Sequence, residues 1–242
     1  MDTLYIVMPA YNEEANIENV VRSWYPLLTD KNPRSRLVVA DSGSKDATHD
    51  ILLRLQHTLP SLEILSDTDR YHGPKVWALY DHAIRSGADY IFQTDSDGQT
   101  SPDEFASFWA ERDRYDIILG NRTVRGDGKA RAFIEKVVVF LLRIYFGAKI
   151  PDANAPFRLM RSETVKKYLY LVQPDFNIPN IILTTFFCKG GERVRFKEIS
   201  FAPRQGGENS INVRNIIGIG MQALKDFSYY RKIMRQAIPP RS

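Results

Sequence analysis

YIFQTDSDGQTSP, Tyr90 to Pro102, sets the reading of the whole chain. Tyr90, Ile91 and Phe92 are apolar and favour a strand, Asp97-Gly98 breaks it, and Ser101-Pro102-Asp103-Glu104 has the form of a helix-opening box with proline at the first helical position. Asp95 to Gln99 is therefore expected as a short loop between the end of a buried strand and a helix start. In open α/β sheets ligands bind just outside the carboxyl ends of the strands, and two carboxylates there gather negative charge that a hard cation neutralises.

Working towards the amino terminus, the same event recurs. Thr3 to Met8 is an apolar run that stops at Pro9, and Asn12 precedes a helical pattern with Ile17, Val20, Val21 and Trp24 on one face. Arg36 to Ala40 is a second strand that breaks at Asp41-Ser42-Gly43-Ser44. Ser44 is the expected cap of a helix burying Ile51, Leu52 and Leu55. Leu62 to Leu65 is a third strand. Gly73-Pro74 opens a helix with Val76, Leu79, Tyr80 and Ala83 inward, and Gly87 stops it. Strands alternating with helices of this length predict right-handed crossovers and a mainly parallel sheet with helices on both faces. Pro9 to Glu13, Asp41 to Asp46 and Asp95 to Gln99 would then share one sheet edge.

Towards the carboxyl terminus, Asp116 to Leu119 reads as a fifth strand and Arg122 to Arg131 as a loop rich in glycine and charge. An apolar helix is expected from about Ala132 to Phe146, and a break with a short extended segment from Asp152 to Met160. Helices follow over Ser162 to Leu171 and Ile178 to Lys189, then a strand over Arg193 to Ser200 and a helix from about Arg214 to Arg235. No internal repeat or long linker divides the chain, so one domain spans residues 1–242.

The 242 residues are 43% hydrophobic and 12% aromatic, enough for a real core. A single cysteine, Cys188, excludes an internal disulfide framework and a multi-cysteine metal site. With no basic leader and no stretch near the length of a membrane span, the protein is expected to be cytoplasmic and at most peripheral at the inner face of the membrane. The net charge of +4 is uneven: residues 193–242 hold ten Lys and Arg against three Asp and Glu, a local +7 that leaves −3 for the rest. Such a patch suits a phosphate-rich partner or is simply a solvated basic face.

Three suggestive patterns can be discarded. An EF-hand beginning at Asp95 would need glycine at Thr100 and glutamate at Ala106. Gly218-x-Gly220-x-x-Ala223 lies too near the end of the chain for a dinucleotide-binding unit, and Asn121-Arg122-Thr123 has no secretory context. The four histidines, His49, His57, His72 and His82, show no ligand spacing and read as surface or helix residues, with His72 alone near the three loops.

Three stretches together resemble the family 2 glycosyltransferases of the GT-A fold: IVMPAYNEEANI at Ile6 to Ile17, VVADSGSKDAT at Val38 to Thr48, and YIFQTDSDGQTSP itself. DANAPFR at Asp152 to Arg158 and RQGGENS at Arg204 to Ser210 are similar to segments of the enzymes that glycosylate polyprenyl phosphates. The resemblance implies an inverting transferase using a nucleotide-diphosphate sugar, with residues 1–122 holding the donor and 123–242 the acceptor. Pro9, Tyr11, Glu13 and Asp41 would border the nucleotide, and Asp95, Asp97 and Gln99 would hold Mg²⁺ or Mn²⁺ against the diphosphate. Carboxylate with amide oxygen is a hard-ligand set that suits either ion. Lys75 is the candidate donor to the diphosphate, and Arg122, Arg131 and Arg204 are the candidates for gripping an acceptor phosphate. Asp152 is the general base if the acceptor is a hydroxyl, and only a positioning group if it is a phosphate oxygen.

Ser42 and Ala47 depart from the family's usual aspartate and glycine; Glu135 and Asn154-Ala155-Pro156 depart near the acceptor. A polyprenyl phosphate and a surface-polysaccharide or other glycan therefore both stand as acceptors. Two other classes stand beside the transferase. A sugar-phosphate nucleotidyltransferase would want a glycine-rich loop where PAYNEE stands. A non-catalytic nucleotide or RNA binder would bind without metal, and the basic carboxy-terminal segment lacks the interleaved aromatics of a stacking platform.

Overall fold

The computed structural model describes residues 1–122, 129–203 and 216–238, with side chains for 1–122, 136–203 and 225–238. Within them runs a sheet of seven strands: β1 (Leu4–Ala10), β2 (Arg36–Asp41), β3 (Leu62–Leu65), β4 (Tyr90–Gln93), β5 (Ile117–Arg122), β6 (Arg158–Arg161) and β7 (Val194–Ile199). Their order is β3-β2-β1-β4-β6-β5-β7. Only β6 runs against its neighbours, pairing antiparallel with β4 and β5, so six strands present their carboxyl ends on one edge. The mainly parallel sheet is as expected. The reversal at β6 is new, and it brings the amino-terminal residue of that strand, Arg158, to the same edge, opposite Gln93.

Helices cover both faces, as a parallel sheet requires. On one side lie α1 (Ile17–Trp24), α2 (Thr48–Gln56) and α4 (Phe105–Trp109); on the other α3 (His72–Arg85), α5 (Lys129–Phe146), α6 (Ser162–Leu169), α7 (Pro179–Gly190) and α8 (Ile216–Ala237). Strand β1 is buried along its full length, its residues alternating between the two cores. Helix α1 buries Ile17, Val20, Val21 and Trp24, the predicted i, i+3, i+4, i+7 stripe. Trp24 stacks on Phe92 at 5.3 Å, and Phe92 meets Phe157 edge-on at 4.7 Å. Each such ring pair contributes about 0.5–1.5 kcal/mol beyond its burial, and these hold β4 and the start of β6 to the helices below the site. Helix α8 packs Phe227 and Tyr230 into the other core, so its described part covers the sheet.

Two local expectations are corrected. Ser44 does not cap α2: the helix starts at Thr48 without a side-chain cap, because the Ser44 hydroxyl is taken by Asp41 and by the Asn12 N–H. Glu104 does not close a capping box either; its carboxylate accepts from the Ser200 N–H, and Ser101 alone caps the turn at Asp103 N.

Candidate active site

The carboxyl ends of β1, β2 and β4 are stitched into one surface by their own loops. Asn12, with φ of 53°, turns its side chain to accept from Lys45 N–H at 2.8 Å while its own N–H donates to Ser44 Oγ at 3.0 Å. Asparagine tolerates that left-handed conformation better than most residues. Glu13 N–H donates to Thr48 Oγ1 at 2.8 Å, and Ser96 Oγ donates to the Pro9 carbonyl at 2.8 Å. The loop after β4 is pinched at its base by Thr94 and Thr100, whose hydroxyls are 2.6 Å apart. Gly98, at φ +74°, makes the turn that any side chain would strain.

On that loop Asp95 accepts at Oδ1 from Gln93 Nε2 at 3.2 Å and from His72 Nε2 at 3.4 Å, leaving Oδ2 without a hydrogen bond among the described residues. Asp97 accepts from Gln99 N–H at 3.1 Å. Gln99 is buried and its amide donates to the Ala202 carbonyl at 2.7 Å, leaving its Oε1 oxygen without a hydrogen bond among the described residues. The open atoms are thus hard oxygens of the type that magnesium and manganese take, so the residues present fit such an ion. Desolvation disfavours the His72 imidazolium, but the hydrogen bond to Asp95 and the charges of Asp95 and Asp97 outweigh it and raise the pKa above its ordinary value. Both carboxylates therefore lie within electrostatic reach of one ring.

The remaining expected donor-side residues are all at this edge, in different states. Tyr11 is 42% exposed, with the Lys75 ammonium 5.3 Å from its ring centre. Glu13 is buried and accepts from Asn16 Nδ2 at 3.0 Å. Asp41 is also buried, engaged by the Ser44 hydroxyl and by His49 Nδ1 at 3.0 Å. Lys75 does not extend into the loops' outer space: it is 1% exposed and its ammonium donates to the carbonyls of Ala10 at 2.6 Å and Ser42 at 3.0 Å. Burial lowers its pKa despite the attraction of Asp41 and Asp69.

Asp152 and Arg122 meet. Arg122 Nε and Nη2 donate to the two carboxylate oxygens at 2.7 and 2.9 Å, with the Arg122 and Asn154 N–H groups adding to the same carboxylate, and both side chains are buried. Arg122 also lies 5.1 Å over the Phe201 ring. It is the last residue of β5, so this pair sits on the same sheet edge as the acidic loop.

The pattern of glycosyl transferase family 2 matches residues 5–169. The chain belongs to glycosyltransferase family 2. Among its relatives is the undecaprenyl-phosphate 4-deoxy-4-formamido-L-arabinose transferase of Shewanella sediminis, 25% identical over 90% of this chain and 65% of that protein. The chain thus spans less than two thirds of that relative. The undecaprenyl-phosphate mannosyltransferase of Micrococcus luteus is 24% identical over 85% of this chain and 86% of its own length. A crystal structure of glucosyl-3-phosphoglycerate synthase from Mycobacterium tuberculosis, with Mn²⁺, uridine diphosphate and phosphoglyceric acid, superposes with a TM-score of 0.69 at 16% identity, covering all of this chain and 80% of the other. The fold of this family 2 glycosyltransferase is therefore GT-A.

Arg131 and Arg204 lie outside the residues whose side chains are described. The sequence reads the histidines as surface or helix residues with His72 alone near the loops; in the structure His49, His72 and His82 each contact an acid: Asp41, Asp95 and Glu63. Sequence reasoning also passed over Arg70 and Tyr71, exposed at the start of α3, where the guanidinium covers the Tyr71 ring at 4.8 Å and lies within electrostatic reach of Tyr11. The cluster Asp69-Arg70-Tyr71-His72 before Gly73-Pro74 was the available signal. Among the described residues no helix is long and apolar enough to cross a membrane.

Proposed function

We propose that this chain is an inverting, divalent-metal-dependent glycosyltransferase that moves a sugar from a nucleotide-diphosphate donor to a polyprenyl phosphate. The observation that carries the reading is the meeting of Asp95, Asp97 and Gln99, with open oxygens on Asp95 and Gln99, beside the Tyr11 and Asp41 loops on one sheet edge. Asp95 and Asp97 would hold Mg²⁺ or Mn²⁺ with the Gln99 carbonyl oxygen. When bound, the cation stabilises the charge that grows on the departing diphosphate. Tyr11, Glu13, Asp41 and Pro9 border the nucleoside. Lys75 braces the two loops from beneath, while the exposed Arg70 guanidinium reaches the donor phosphates.

The Arg122–Asp152 pair favours a phosphate over a glycan hydroxyl as acceptor. A carboxylate whose two oxygens are both engaged by a guanidinium is poorly placed to take a proton, whereas a phosphate oxygen is already ionised at neutral pH and needs no base. Asp152 then orients Arg122 towards the acceptor, with Arg131 and Arg204 completing the grip. Both undecaprenyl-phosphate relatives fit this choice. A lipid acceptor calls for contact with the membrane surface, and α5 offers Val137, Phe140 and Ile144 exposed on one face.

The test is release of nucleoside diphosphate from a panel of nucleotide sugars with Mg²⁺, Mn²⁺ or chelator, with and without polyprenyl phosphate. Metal-dependent release stimulated by the lipid supports the proposal. Release unaffected by chelation, or by Asp97→Asn, defeats the metal assignment, and indifference to the lipid returns the acceptor to a glycan.

A further inference from the structure

Beneath the acidic loop lies a cation whose charge the proposed reaction does not use. Arg158, the first residue of β6, is 1% exposed and stands opposite Gln93 on the same face of the sheet. Its Nη2 donates to the Asn180 carbonyl at 3.3 Å and to the Thr184 hydroxyl, and its Nε and Nη1 find no acceptor among the described residues. The Tyr80 hydroxyl lies within its electrostatic reach.

From there the donor and acceptor rules run in one direction. A guanidinium only donates and offers the Tyr80 hydroxyl proton no acceptor, so that proton goes to a side-chain oxygen. The nearer acceptor is Asn180 Oδ1 at 2.8 Å, against 3.2 Å to Gln93 Oε1. With Oδ1 taken, the Asn180 amide nitrogen donates to Gln93 Oε1 at 2.9 Å, and the Gln93 amide nitrogen is left to donate to Asp95 Oδ1 at 3.2 Å. Tyr80, Gln93 and Asn180 are all buried. His72 reaches the same oxygen only at 3.4 Å and from an exposed ring.

We infer that Tyr80, Asn180 and Gln93 are positioning residues, a buried hydrogen-bond chain beside Arg158 that fixes the Asp95 carboxylate by Oδ1 and keeps Oδ2 for the cation. The inference rests on the metal assignment of Asp95 proposed above. Partners that orient a metal-ligating carboxylate typically change metal affinity by 10–100-fold when removed. A chain that merely fills the core would change stability and leave the metal alone.

The experiment is a Mn²⁺ titration read by the electron paramagnetic resonance of the free ion, with uridine diphosphate present and absent, alongside urea unfolding. Tyr80→Phe, which keeps the ring, and Asn180→Ala are each expected to weaken Mn²⁺ binding about tenfold. Thr185→Ala, which removes another buried hydroxyl on α7, is expected to lower the unfolding midpoint and leave Mn²⁺ affinity unchanged. In an Asp95→Asn background, Asn180→Ala is expected to have no further effect on the ion. Should Asp95→Asn weaken binding while Tyr80→Phe and any folded Asn180→Ala do not, the chain is structural and this inference falls alone. Should Asp95→Asn leave Mn²⁺ binding intact, the metal assignment falls first and takes the inference with it.

Discussion

Lys75 on α3 donates to the carbonyl oxygen of Ala10 on β1 at 2.6 Å, and with its second bond to Ser42 it ties the ends of the first two strands together from below. A buried ammonium bound to two carbonyls acts as a brace. Lys75→Met removes both donors and leaves two carbonyls short of a partner, at about 1–3 kcal/mol for each buried group. Urea unfolding is expected to show that loss, with the donor KM raised because the Tyr11 and Asp41 loops are no longer held at a fixed separation. Unchanged stability with reduced turnover would instead mean that the ammonium serves the diphosphate directly.

The Arg122–Asp152 pair makes a second prediction about stability and chemistry at once. Removing one partner of a buried ion pair costs about 3–5 kcal/mol. Asp152→Asn is expected to destabilise the fold by roughly that amount, whereas Asp152→Asn with Arg122→Met recovers much of it without recovering activity. A base would behave otherwise: formate or azide would restore turnover to Asp152→Ala. No such rescue is expected here.

Much of this was legible in the chain. Seven strands and the principal helices were readable from apolar runs and their breakers, and the three loops that meet at the edge are each contiguous in sequence. The reversal of β6 was not, because a four-residue strand has no directional pattern and its orientation is set by pairing with β4 and β5. Nor was the role of Lys75, whose partners lie 65 and 33 residues away. Asn180 and Gln93 are 87 residues apart, and in sequence both read as ordinary polar residues in apolar elements. Only the packing of α7 on the sheet brings Asn180 to Gln93, two residues before Asp95.

The tyrosines make a pH prediction. Burial pushes Tyr80 and Tyr230 up to about 12 from an ordinary 10.0, and burial likewise pushes the Cys188 thiol up to about 11 from 9.0. A group whose pKa is raised by folding contributes stability that is complete below its unfolded value and is lost as pH climbs through its folded value. The unfolding free energy is therefore expected to fall between about pH 9 and 12, by up to roughly 1.4 kcal/mol for each tenfold difference in proton affinity between the folded and unfolded chain. Lys75 acts in the opposite sense below its unfolded value of 10.5, since its lowered pKa favours the fold as the ammonium deprotonates. Tyr80→Phe and Tyr230→Phe should each flatten the alkaline slope in urea titrations at stepped pH. Part of the slope is expected to remain with Cys188, and a slope that neither substitution flattens would place the loss elsewhere.

Contact with the membrane surface is predicted for α5, not for the described part of α8. Residues three and seven positions on from Val137 share its face, and Val137, Phe140 and Ile144 are 41%, 61% and 58% exposed. Lys136 and Arg143 flank this strip, exposed, and Lys149 follows the helix. An apolar strip bordered by cations suits an interface with anionic headgroups, each cation near the surface contributing about 1 kcal/mol. In α8, by contrast, Phe227 and Tyr230 already face the core. Co-sedimentation with vesicles containing phosphatidylglycerol is expected to retain the parent chain and to weaken as salt rises. Phe140→Asp with Ile144→Asp is expected to abolish retention while leaving the urea midpoint unchanged, because neither side chain packs inside. Turnover with a short-chain, water-soluble polyprenyl phosphate should persist in that variant, and turnover on vesicle-borne acceptor should fall. Retention of the double variant would move the contact away from α5, and equal loss on both acceptors would mean that the strip belongs to the acceptor site itself.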